Sequence, residues 1–94
     1  MKNVRIGQVV QSISGRDAGY FFLVLAVEEK GFVRIADGKL HKIRKPKRKN
    51  IKHLRLLPLV SENIDQINWK DLQSQDAFLR KELKRLGYSN TREG

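Results

Sequence analysis

The chain contains no cysteine, which excludes disulfides and thiolate metal sites and suits a reducing compartment. It has no long apolar run either. The longest stretch, residues 21–27, falls far short of the roughly 18 residues a membrane span needs. Residues 1–10 alternate without the continuous apolar core of a signal peptide. A soluble cytoplasmic protein with no membrane partner is the expectation. Acids are scarce where cations are dense: the first 60 residues hold only Asp17, Glu28, Glu29 and Asp37, and none lies between Lys39 and Arg55. Acids so few and scattered form no paired-carboxylate constellation. No Ser/His/Asp set or phosphate-binding P-loop stands beside them, so neither an enzyme, a cofactor nor a small-molecule substrate is expected. His41 and His53 are the only histidines and have no carboxylate close in sequence. They read as strand-surface residues that gain charge when protonated rather than as metal ligands.

What the chain does have is charge of one sign. Residues 39–55 carry nine Lys or Arg, seven of them from Lys42 to Lys52. Residues 1–60 hold 14 Lys/Arg against 4 Asp/Glu, whereas residues 61–94 hold 6 of each. The whole net charge of +10 therefore belongs to the N-terminal two thirds, and the last third reads as a balanced surface. Like charge at this density repels itself unless a polyanion relieves it, which points to nucleic acid.

The pattern along the chain is mainly that of short strands. Residues 4–12 alternate, with Gly7 at a bend. Ser14-Gly15-Arg16-Asp17-Ala18-Gly19 is a turn, and Tyr20 to Glu28 reads as a central strand apolar on both faces. Glu29-Lys30-Gly31 is a hairpin connection leading to a third strand at 32–36. Asp37-Gly38 signals a tight hairpin into a fourth strand at 39–43. Pro46 interrupts the basic run, and a fifth strand at 51–56 ends at Pro58. Five short strands on tight turns within about 60 residues predict a small, strongly bent barrel or a pair of orthogonal sheets.

From Ser61 the period becomes helical. A short turn at 61–66 is expected, with Ile64, Ile67 and Trp69 docking on apolar surface. Ser74 is the expected N-cap, and Asp76 lies in the first turn. Phe78, Leu79, Leu83 and Leu86 form the apolar stripe of a helix ending at Gly87. The stripe suits packing on its own domain better than binding a partner. Residues 89–94 read as a frayed tail.

Gly7-Gln8-Val9-Val10-Gln11-Ser12-Ile13-Ser14-Gly15-Arg16-Asp17-Ala18-Gly19 and the apolar strand after it resemble the KOW motif, with Gly19 as its essential glycine. With Ile35-Ala36-Asp37-Gly38-Lys39-Leu40 and Lys45-Pro46-Lys47-Arg48-Lys49 added, the chain looks like the small bacterial KOW-domain RNA-binding proteins. These are similar to KOW-type proteins of the archaeal and eukaryotic large ribosomal subunit. The resemblance covers residues 4–57. It implies an SH3-like five-stranded barrel over residues 1–58, followed by a helical extension over 59–94. It also implies binding to ribosomal or other structured RNA through loops. Many KOW motifs place Lys or Arg directly after the essential glycine, but Tyr20 and Phe21 stand there in this chain. Arg16 is left as that loop's only cation, and the weight of binding moves to residues 39–55.

The expected interface therefore comprises Arg16, Lys39, Lys42, Arg44, Lys45, Lys47, Arg48, Lys49 and Lys52 on phosphates. Gly15, Asp17, Gly19 and Tyr20 shape the loop beside them. The loop either approaches a phosphate or stacks on a base through its amides and Arg16, or is simply a hairpin turn in which Asp17 bonds its own backbone. Both roles are compatible. Tyr20 reads first as a core aromatic, with base stacking as the other role open to it. The functional expectation is an RNA-binding protein associated with ribosomal RNA and the large subunit, with a ribosomal-protein contact through the C-terminal helix as a further partner. A protein-interaction module of the transcription or translation machinery, and a sequence-indifferent DNA binder, are the other readings.

Overall fold

The computed structural model describes residues 3–90. Alternation sets its first strands: β1 (Gln8–Ser12) and β2 (Phe21–Val27) pair antiparallel, with Val9 opposite Leu23 and Val10 opposite Phe22. β3 (Phe32–Ala36), β4 (Lys47–Asn50) and β5 (Leu54–Val60) complete one antiparallel sheet of order β4-β3-β2-β1-β5. One helix, α1 (Gln75–Arg85), follows. No helix among the described residues is long and apolar enough to cross a membrane.

The sheet is buried on both faces. On one, Val9, Leu23, Leu25 and Leu57 pack against Leu79 and Leu83 of α1, with Ile43 and Ile67 between them. On the other, Val10, Phe22 and Val24 meet Val33 and Ile35 of β3 and Leu54 of β5. β3 and β5 are separated by two strands yet both contribute to this second cluster, so the sheet curls around it. Register shifts between Val24 and Ala26 on β2, and between Gln8 and Val10 on β1, supply local bends. β4 and β5 remain the edges and are not paired to each other among the described residues. What is present is a curled open sheet capped by a helix.

Five expectations need correction. Residues 39–43 form no strand. The side chain of Asp37 accepts from the amides of Lys39 (3.0 Å) and His41 (2.9 Å), and Asp76 on α1 accepts from Ile43 N at 2.8 Å. These alternate amides are the edge a strand would offer its neighbour, and carboxylates occupy it instead. The fourth strand starts only after Pro46. The fifth begins at Leu54, because Asn50 caps a 3₁₀ turn at Ile51–His53 by accepting from Lys52 N. It then runs through Pro58, which an edge strand tolerates, and Pro58 falls in the stretch where the β1–β5 register shifts.

The other three corrections lie near the C-terminus. Trp69 is exposed rather than docked, while Ile67 is buried. Ser74 precedes α1 without capping it, since its hydroxyl donates to Asp71 Oδ2 at 2.9 Å. Of the expected frayed tail, Asn90 is instead fixed: its Oδ1 accepts from Phe21 N (2.7 Å) and its Nδ2 donates to Phe21 O (2.6 Å). Residues 91–94 lie outside the described residues.

Candidate nucleic-acid interface

The basic run divides into a loop, residues 37–46, and the edge strand β4. The loop is shaped from within by Asp37. Besides the two amides it accepts, Asp37 lies across from the backbone pair in which His41 O receives the Asp37 and Gly38 amides. Ile43 is buried beneath α1, which leaves Lys39, Lys42, Arg44 and Lys45 exposed around it. Anchoring one apolar residue thus displays the cations on either side.

On β4 the two-residue period sorts the charges. Lys47 and Lys49 stand opposite Ile35 and Val33, and Arg48 stands opposite Arg34. Arg48 lies on the other side of the strand, 3.7 Å above the Phe32 ring, with its Nε 3.1 Å from Glu28. Arg34 shares the same carboxylate at 2.8 Å. Arg48 is therefore held flat on the surface by stacking and charge.

Lys49 turns inward, contrary to its expected place on a phosphate. Its ammonium donates to Asp17, to Ser12 Oγ and to Ser14 O (2.9 Å), and its side chain is only 11% exposed. All three protons are used, so none is left for a ligand. Asp17 also accepts from Ser12 Oγ at 2.6 Å, and His41 Nε2 lies 2.9 Å from its other oxygen. The ring of His41 stacks on Phe22 at 5.1 Å between centroids. His41 is thus a bridge between two loops rather than a free surface residue. Burial by itself would raise the pKa of Asp17, but the hydrogen bonds from Lys49, Ser12 and His41 prevail and hold it at about 2. The carboxylate is ionised, so Nε2 is the nitrogen of His41 that carries the proton.

Around this buried knot lie two grooves with a common wall. One is bordered by Lys39, Lys42, Lys45, Lys47 and Arg48, with Leu40 and His41 at its side. The other runs between the glycine loop and β4, past Gly15, Arg16, Leu40, His41 and Lys47. Asp17 is the only acid at either groove, and it is buried and paired. Arg16 and Lys47 line the second groove together, and Lys47 also borders the first with Lys39, Lys42 and Lys45. Arg44 is exposed but lines neither groove, and Lys52 sits apart on the turn after β4. Gly19 closes the glycine loop, its amide donating to Ser12 O, and Tyr20 packs partly buried beside the second core cluster.

Sequence reasoning missed Leu40 and His41 as walls, and Ser12 as part of the knot. The exposed Leu40 had no periodic signature once its strand was assumed. The ring of His41 gave no signal in sequence because its carboxylate partner, Asp17, lies on another loop. Among the described residues no group of three or more His, Cys, Asp or Glu side chains is placed to hold a metal ion. Searched against models of known protein families, the chain matches none.

Proposed function

We propose that this chain is an RNA-binding protein with a KOW-type, SH3-like barrel, which grips the RNA backbone of the large ribosomal subunit. The observation that carries the reading is the separation of charge at the two grooves. Arg16, Lys39, Lys42, Lys45 and Lys47 face outward, while Asp17 is buried in an ion pair with Lys49 and Asp37 is buried against backbone amides. Folding thus removes the acids that would otherwise screen the cations, which favours a polyanionic ligand. The curl of the sheet and the glycine loop between β1 and β2 support the barrel assignment. The resemblance over residues 4–57 supports a ribosomal RNA as target. Mobile lysines over a fixed floor suit recognition of backbone and shape more than of base edges.

The test is sedimentation of the tagged protein from a gentle lysate through sucrose gradients, alone and as the Lys42→Ala/Lys45→Ala/Lys47→Ala variant. Wild type should travel with large subunits, and nuclease, raised salt or the triple substitution should release it. Wild-type protein that stays at the top of the gradient regardless of nuclease would overturn the reading and favour a protein-interaction module.

A further inference from the structure

A recess separate from the two grooves lies where α1 meets the turn after β3. Lys39, Arg80, Lys81 and Lys84 line it, with Asp37 and Asn90 among its other residues. Asp37 is its only acid and is 2% exposed; its oxygens accept from the amides of Lys39 and His41 and from Asn90 Nδ2 at 3.0 Å. The ammoniums of Lys39, Lys81 and Lys84 have no acid partner among the described residues. Arg80 donates to Gly38 O and keeps its charge. Glu62, Asp65, Asp71, Asp76 and Glu82, the described acids of the last third, do not line the recess. A last third that is neutral in total is therefore cationic on this side. An unscreened concave cluster of this kind attracts an anion.

Two features tie the recess to the loop groove. Lys39 borders both. The seam between them is rigid: Asp76 on α1 holds Ile43 N, Arg80 holds Gly38 O, and the helix backbone lies so close to Gly38 that an added Cβ would stand 2.1 Å from Asp76 O. Cations on α1 therefore keep a fixed position relative to those on the loop. Lys81 and Lys84, three apart on the helix, are neighbours on one face. We infer that α1 is a second RNA-contacting element. Lys81 and Lys84, with Lys39, take a phosphodiester of the same RNA that the loop groove holds. This rests on the RNA-binding reading above and extends it to a part of the chain that its charge balance had set aside.

The experiment compares wild type, Lys81→Ala/Lys84→Ala and Lys42→Ala/Lys45→Ala/Lys47→Ala for binding a labelled RNA stem-loop across a salt series. Thermal unfolding verifies that each variant folds, and the helix variant should fold because both positions are exposed and Ala favours helix. Its slope of log affinity against log salt should fall by about 1, with affinity down several-fold at low salt. Lys81→Arg/Lys84→Arg should restore both. If only the loop variant loses slope, the helix inference is overturned and the RNA reading stands. If neither variant loses slope, both are overturned.

Discussion

Asp17 and Lys49 join the glycine loop to the edge strand through a buried ion pair, with side chains only 7% and 11% exposed. A lysine from the densest part of the basic run thus holds loop and strand together instead of standing exposed. Replacing Lys49 by Met leaves Asp17 ionised and buried without its principal partner. The expected loss is about 3 kcal/mol of folding stability. Lys47→Met, one pleat away and exposed, should leave stability within about 0.5 kcal/mol and weaken RNA binding instead. Urea unfolding of the two variants separates the roles, and equal losses would refute the division.

Acid should loosen the same contact. Asp17 is held at about 2 against an ordinary 3.8, the donors from Lys49, Ser12 and His41 outweighing burial. Glu82 is likewise held at about 2, from 4.5, chiefly by the hydrogen bonds of Arg85 against burial, with Ser61 and Asn63 assisting. Both carboxyls bind protons more readily unfolded than folded. Their stabilisation is therefore complete above the unfolded values and is lost as pH falls towards 2. Asp17 contributes about 2 kcal/mol to this acid-sensitive share. Melting temperature should hold steady down to about pH 5 and then fall. Asp17→Asn should show a shallower decline below pH 4, and parallel curves would contradict the assignment.

Much of this was legible in the chain, and its gaps have physical causes. Alternation located β1 and β3, the doubly apolar run located β2, and the Phe78–Leu86 stripe with Gly87 located α1. Residues 39–43 alternate like a strand, but Asp37 and the distant Asp76 take the amides that pairing would need. A propensity is overridden here by contacts that local pattern cannot show. Lys47 and Lys49 are chemically identical and share a strand face. Only the buried carboxylate of Asp17 makes Lys49 a structural pin while Lys47 stays exposed. Net charge misled for a related reason: summing residues 61–94 to zero hides that Glu82 is buried while Lys81 and Lys84 are exposed.

Two glycines with nearly the same backbone should respond differently to alanine. Gly15 has φ +86 and Gly38 φ +80, so both substitutions carry the left-handed strain of about 1–2 kcal/mol. At Gly15 the nearest atoms to an added Cβ are 3.8 Å away, whereas at Gly38 Asp76 O would be at 2.1 Å. Gly38→Ala must push α1 off the loop, and should lose well over the roughly 2 kcal/mol ceiling for Gly15→Ala. It should also weaken RNA binding by displacing Lys39. Similar denaturation midpoints for the two variants would show that the helix is not seated on the turn.

Asn90 offers a finer probe of the seam between tail, sheet and loop. Its carboxamide pairs with both backbone groups of Phe21, as a neighbouring strand would, and its Nδ2 also reaches Asp37. Tyr88, just before it, packs on the Phe21 ring at 4.9 Å between centroids. Asn90→Ala removes the partner of the Phe21 amide while leaving Asp37 its two backbone donors. The loop should therefore keep its shape, and the loss should be about 1.5 kcal/mol. That corresponds to roughly tenfold faster hydrogen exchange at Phe21 if its opening becomes local. Exchange at the His41 amide, still held by Asp37, should change little. If both amides accelerate together, Asn90 holds the loop as well as the strand, and the tail becomes part of the framework that positions Lys39.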